Sequence, residues 1–136
     1  MTDKKETAPV VLLRDAILSA VDLPLVEVEV PEWGGIVYVK PMTAGARDAF
    51  EASVADSEGN VDRRNFRAKL VVRCMVDPET GHRLFKDTDA LALADKNALP
   101  VSRVFDAAAK ASGLSPDDVE AMEGNSDGRD GASSSD

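Results

Sequence analysis

The sequence has little of what nucleophilic and metal chemistry uses. Its 136 residues include one cysteine, Cys74, and one histidine, His82. A lone cysteine excludes an intrachain disulfide. A zinc site takes about four Cys, His or carboxylate ligands, and this chain is too poor in cysteine and histidine to supply them. A thiol dyad would need Cys74 and His82 together. Cys74, however, falls on the apolar stripe of a predicted helix and His82 beside a turn, which reads as a core cysteine and a surface histidine. Aromatic residues make up only 4%. The core is therefore expected to be aliphatic, with Trp33, Tyr38, Phe50, Phe66, Phe85 and Phe105 as its few large anchors. Positive charge is also scarce: 16 Lys and Arg stand against 25 Asp and Glu, a net charge of −9. That acidity disfavours nucleic acid and anionic membranes as partners. No stretch approaches the roughly 18 apolar residues of a membrane span. The first apolar run, Val10 to Leu13, is too short for a signal-peptide core. A soluble protein of the cytoplasm is the expectation.

What is present is organised around Val26 to Thr43, VEVEVPEWGGIVYVKPMT. Val26, Val28 and Val30 alternate with Glu27 and Glu29. Ile36, Tyr38 and Lys40 alternate with Val37 and Val39. Period-two alternation on both sides of a Pro/Gly break predicts a β-hairpin. The break is Pro31 to Gly35; its glycines allow the positive φ of a tight reversal. A hairpin alone is marginal in water, so the rest of the chain must cover one face. Which face is buried depends on register, because a one-residue slip exchanges them.

The remainder predicts helices. Leu13, Ile17 and Val21, with Leu18, give Val11 to Val21 an amphipathic helical period, ended by Asp22-Leu23-Pro24. Thr43 is an N-cap type ahead of a helix with Ala46, Phe50 and Val54 on one stripe, and Arg47 and Glu51 are spaced to pair. Asp62 is expected to cap a second long helix reaching about Val76, with Phe66, Leu70, Val71, Cys74 and Met75 on its apolar face. Asp77 to Gly81 is a turn by composition. His82 to Phe85 is short and extended, a candidate small strand. A short helix covers Asp89 to Lys96, capped by Asp87 or Thr88. Asn97 caps Ala98 to Ala111, with Pro100 in the first turn, where proline is tolerated, and Gly113 beyond the end. Ser115-Pro116-Asp117-Asp118 starts a last helix reaching about Glu123. The fold class is α+β: four to six helices holding about half the residues, with a small antiparallel hairpin, in a single domain over residues 10–123. Residues 1–9 and the Gly/Ser/Asp-rich 124–136 are expected to be disordered. The expected core is Ile17, Val28, Val30, Val37, Val39, Phe50, Phe66, Leu70, Cys74, Leu84, Val104 and Phe105.

No catalytic, cofactor or metal constellation emerges. Asp56 to Asp62 lacks the glycine at position six and the glutamate at position twelve of a calcium loop. Gly34-Gly35 has no Lys-Ser/Thr after it and opens no helix, so it is not a phosphate loop. Two surface features remain. Arg63, Arg64 and Arg67, continuing through Lys69 and Arg73, form either a solvated helix face or a docking surface for an acidic partner or a second copy. Trp33 on the hairpin is either a residue capping the core or an interface anchor.

The run Val28-Glu29-Val30-Pro31-Glu32-Trp33-Gly34-Gly35, then Val37-Tyr38-Val39-Lys40, then Thr43 and Arg47-Asp48-Ala49-Phe50-Glu51, resembles the tail assembly chaperones of long-tailed, non-contractile bacteriophages and related prophages. Asp77 through Gly81, Leu84-Phe85, Asp87, Asp89 and Phe105-Asp106-Ala107-Ala108 fit the same layout, so the resemblance covers about residues 12–122. It implies a non-enzymatic protein without cofactor, acting in the host cell cytoplasm and not expected in the mature virion. It implies binding to the tape measure protein, which is kept soluble until tail tube subunits polymerise around it. It further implies a longer frameshifted product that recruits the tail tube protein. Binding many copies along one client also calls for self-association, a homo-oligomer, and Trp33, Arg63, Arg64 and Arg67 are the candidate contact surface. The alternative is a structural tail completion or connector protein of the virion.

Overall fold

A computed structural model describes residues 8–55, 58 and 64–122. In it a three-stranded antiparallel sheet, order β1-β2-β3, packs against helices. The fold is a mostly helical α+β domain, as the sequence implied. β1 (Val26–Val30) and β2 (Gly35–Val39) form the hairpin, paired from Val26 opposite Val39 to Val30 opposite Gly35. This register puts Val26, Val28, Val30, Val37 and Val39 on one face and Glu27, Glu29, Ile36 and Tyr38 on the other. Val28, Val30 and Val39 are buried and Val37 is half-buried, so the valine face is the core face. On the outer face the Tyr38 hydroxyl donates to Glu27, its cross-strand neighbour, at 3.1 Å. That bond and the carboxylate charge push the phenol up from its ordinary range.

Caps set the helix limits. The Thr43 hydroxyl accepts from the Ala46 amide and opens α2 (Ala44–Val54), whose Phe50 and Val54 are buried. Arg47 and Glu51 pair one turn apart at 3.3 Å. Asn97 accepts from Leu99 N and opens α5 (Ala98–Ala111), which buries Pro100, Val101, Val104, Phe105, Ala108 and Ala109. Gly113 then adopts φ +76°, the left-handed conformation that ends a helix. Ser115 and Asp118 each accept from the other's amide at 3.0 Å, starting α6 (Pro116–Met122). That pairing is a reciprocal cap, and it holds the Asp118 carboxyl below its usual range. α4 (Ala90–Ala94) is a single turn preceded by a 3₁₀ turn at Asp87–Asp89. It is shorter than the expected Asp89 to Lys96.

The core is built around α3 (Phe66–Cys74), which packs against α4 and α5. The Phe66 ring lies 5.5 Å from Phe50 and 5.8 Å from Phe105, centroid to centroid. Leu70, Val71, Val72 and Cys74 are buried in the same core cluster, and α5 is the helix that packs on β1 and β2.

Several expectations are corrected. The second long helix ends at Cys74, not Val76. Met75 and Val76 form β3, pairing with Val39 and Tyr38. The sheet competes for these backbones: Lys40 N donates to Cys74 O at 2.8 Å and Leu84 N to Met75 O at 3.0 Å. The segment at 82–85 contributes a single bridge, Arg83 to Val76. α3 begins after Asn65, a left-handed N-cap whose side chain makes no capping bond; the expected cap Asp62 lies outside the described residues. So do the loop residues 56–57 and 59–62, most of the 1–9 segment and all of 124–136. The N-terminal helix α1 is confined to Arg14–Ser19 and buries nothing. Ile17, expected in the core, is 54% exposed, because none of the described residues packs onto the stripe closely enough to bury it. Leu84, also expected in the core, is 50% exposed, because the Arg83 bridge leaves it at the sheet margin rather than beneath it.

Candidate functional site

Pro31, Glu32 and Trp33 form a 3₁₀ turn between the hairpin strands. Pro31 supplies a preset φ at its start. Gly34, at φ +82°, ends it and donates its amide to Pro31 O at 3.0 Å. Any other residue at Gly34 would strain the backbone. The turn therefore reverses the chain with a fixed geometry and lays Trp33, half-buried, against the core. Glu32 on the same turn binds Arg103 of α5 through both carboxylate oxygens, at 2.5 and 2.8 Å. This fork-to-fork pair ties the hairpin tip to the longest helix. The Arg103 guanidinium draws the Glu32 carboxyl down to about 2 and is itself raised in return.

The latch gives a pH prediction. Glu32 is an acid whose value is depressed by folding. Its contribution is complete above the ordinary value of 4.5, declines as pH falls, and is lost near 2. Unfolding midpoints of Arg103→Gln and the parent are expected to differ modestly at pH 7, as for other solvent-facing pairs. They should converge as pH drops from about 4.5 to 2.

Trp33 forms one wall of a cleft of about 580 Å³. Met75 of β3, Leu84, Phe85, and Ala92 and Leu93 of α4 complete its apolar lining, and Asp89 and Lys96 stand at its rim. The Asp77–Gly81 turn delivers the Leu84 wall. Gly81 N donates to Asp77 O at 2.7 Å with φ +76° at Gly81, and Asp77 N donates to His82 O at 2.9 Å. Arg83 then clamps the segment to α3. Its guanidinium donates to Val72 O at 3.0 and 3.2 Å and to the Asp87 carboxylate at 2.6 Å. That bond, with Arg73 nearby at 3.4 Å, lowers the Asp87 carboxyl. The Asp89 carboxylate accepts from Lys86 N at 2.8 Å and starts the short helical segment that carries Ala92 and Leu93. The α4 wall and the Leu84 wall are thus both fixed by local hydrogen bonding.

Comparison with protein-family models, curated proteins and solved structures finds no match.

Of the predicted contact residues, Trp33 and Arg67 line different clefts. Trp33 lines the cleft just described. Arg67 lies with its guanidinium 5.3 Å from the centre of the Phe105 ring and lines a separate cleft of about 470 Å³ between α5 and α6. Arg64 is exposed in the turn before α3, and Arg63 lies outside the described residues. Arg73, part of the same basic run, sits over Phe50 at 5.5 Å while pairing with Asp87. Arg67 and Arg73 thus form cation–π contacts with the aromatic core. Sequence reading missed Met75, Phe85, Ala92 and Leu93 as partners of Trp33. The signal for Phe85 was a large aromatic side chain in a short segment rich in charge, and for Leu93 its place in the apolar run Ala90–Ala94. Cys74 is fully buried, and burial pushes its thiol up to about 11.

Among the described residues, no helix is long and apolar enough to cross a membrane.

Proposed function

We propose that this protein is a phage tail assembly chaperone that binds the tape measure protein, keeps it soluble and helps recruit tail tube subunits. The observation that carries this reading is the Trp33 cleft. An amphipathic helix presents apolar side chains every three to four residues with charges beside them. The cleft offers the complementary surface: an apolar lining of Trp33, Met75, Leu84, Phe85 and Leu93 between rim charges of opposite sign, Asp89 and Lys96. Such grooves take helices by their apolar stripe. The net charge of −9 keeps a chaperone with an open apolar groove from associating nonspecifically. In this reading the protein is not an enzyme, acts in the host cell cytoplasm and leaves before the virion is complete. The tail tube protein is reached through a longer frameshifted product.

The test is recovery of the tagged chain from cells expressing its phage genes, with mass spectrometry of what accompanies it. One very long, helix-rich protein is expected with the parent. Its recovery should fall roughly ten- to a hundredfold with Leu84→Asp, the effect of removing one buried leucine contact. Leu84 is 50% exposed and lies outside the buried core, so that variant should fold. Finding the protein in purified particles, with only mature tail subunits accompanying it, would overturn the chaperone reading in favour of a virion component.

A further inference from the structure

The N-terminal arm, residues 10–21, is the most exposed apolar surface of the protein. Val10, Val11, Leu12, Leu13, Ile17, Leu18 and Val21 are between 54% and 96% exposed. None of the residues of α1 is buried. A helix of six residues is far below the length that is stable alone in water, and such helices owe their stability to a packed face. None of the described residues buries the stripe, so the arm calls for a cover.

The charges of the arm indicate what that cover is. Arg14 and Asp15 stand beside the stripe, 80% and 93% exposed at the side chain, and pair only with each other, at 2.7 Å, among the interactions seen here. The Trp33 cleft has an apolar lining with one anion and one cation at its rim, Asp89 and Lys96. The arm carries the matching set: a stripe, one cation and one anion. The arm does not occupy the cleft of its own chain, since its apolar residues stay more than half exposed beside it, and this favours the cleft of a neighbouring copy.

We infer that the arm of one copy seats in the Trp33 cleft of a second copy, with Leu13, Ile17 and Leu18 on the apolar lining, Arg14 toward Asp89 and Asp15 toward Lys96. This rests on the cleft being a helix-binding site, as proposed above. The arm then serves as a placeholder with the chemistry of a client helix, covering the cleft and linking copies until a client displaces it.

The test uses the full chain without client, so it fails or succeeds independently of the tape measure reading. Sedimentation should show concentration-dependent self-association of the parent. Ile17→Asp/Leu18→Asp, at positions with no buried contact, should weaken that association roughly tenfold or more. Chains carrying Leu18→Cys, mixed with chains carrying Leu84→Cys and oxidised, should form a linked heterodimer. The native Cys74 stays out of the reaction because it is fully buried. A parent that remains monomeric at all concentrations overturns the proposal. So does unchanged association of the Ile17→Asp/Leu18→Asp variant, or failure of the heterodimer to form. A Leu18→Cys/Leu84→Cys chain that links only to itself in dilute solution overturns it in favour of an arm folded onto its own cleft.

Discussion

Phe66→Ala is expected to destabilise the fold by about 3–5 kcal/mol, the range for truncating a buried phenylalanine. Phe66 is 3% exposed and stands between Phe50 and Phe105, touching both in tilted or edge geometry. Truncation removes two aromatic contacts at once, each worth about 0.5–1.5 kcal/mol beyond area burial. It also opens a void where three elements meet: Phe50 belongs to α2, Phe66 to α3 and Phe105 to α5. A domain of this size has only about 5–15 kcal/mol in all, so the variant should be marginal at room temperature. Urea unfolding followed by circular dichroism measures the loss. A change below about 1 kcal/mol would mean that the site collapses around the missing ring and that the three helices are not locked through Phe66.

Val39→Asp should be as costly, while Ile36→Asp on the same strand should be nearly neutral. Val39 is fully buried, hydrogen-bonded between β1 and β3 at the middle of the sheet. A carboxylate there enters the hydrophobic core cluster, which among the described residues buries no charged side chain. The cost is that of an uncompensated buried charge, about 3–5 kcal/mol. Ile36 lies on the opposite face and is 50% exposed, so aspartate there stays hydrated, and surface changes of this kind usually stay within about 0.5 kcal/mol. The contrast tests register directly, because a shift of one residue would exchange the two outcomes. Parallel urea titrations of the two variants at neutral pH decide it.

The contrast also marks how much of this fold was legible beforehand. The hairpin was legible because Val/Glu alternation and a Pro-to-Gly break are local signals, and Gly34 adopts the positive φ that the break required. The Ala98–Ala111 helix was legible to the residue, because Asn97 and Gly113 sit at its two ends. Met75 and Val76 were not. Their apolar side chains continue the helical stripe of Phe66 and Leu70, and only pairing with Val39 and Tyr38, distant in sequence, makes them a strand. Ile17 shows a different limit: a stripe at helical spacing signals that something covers it, not that its own chain does. The cleft was the least legible feature. Trp33 was singled out, but its partners come from three other segments, 75, 84–85 and 92–93, which only the tertiary fold brings together. The arginines, grouped by sequence, were separated by the fold: Arg67 and Arg73 lie over Phe105 and Phe50.

The passage from Cys74 to Met75 takes α3 into β3 with no intervening residue. A junction of zero length has no hinge. A tilt of α3 must carry β3 with it, and with β3 the strand that it pairs to. Three walls of the Trp33 cleft are tied to that one unit: Met75 as part of it, Leu84 through its bond to Met75 O, and the hairpin tip through β2. The cleft is therefore preorganised. Under the proposed function, a client helix would do little work in reshaping the protein, and the free energy of contact would go into how long the helix stays bound.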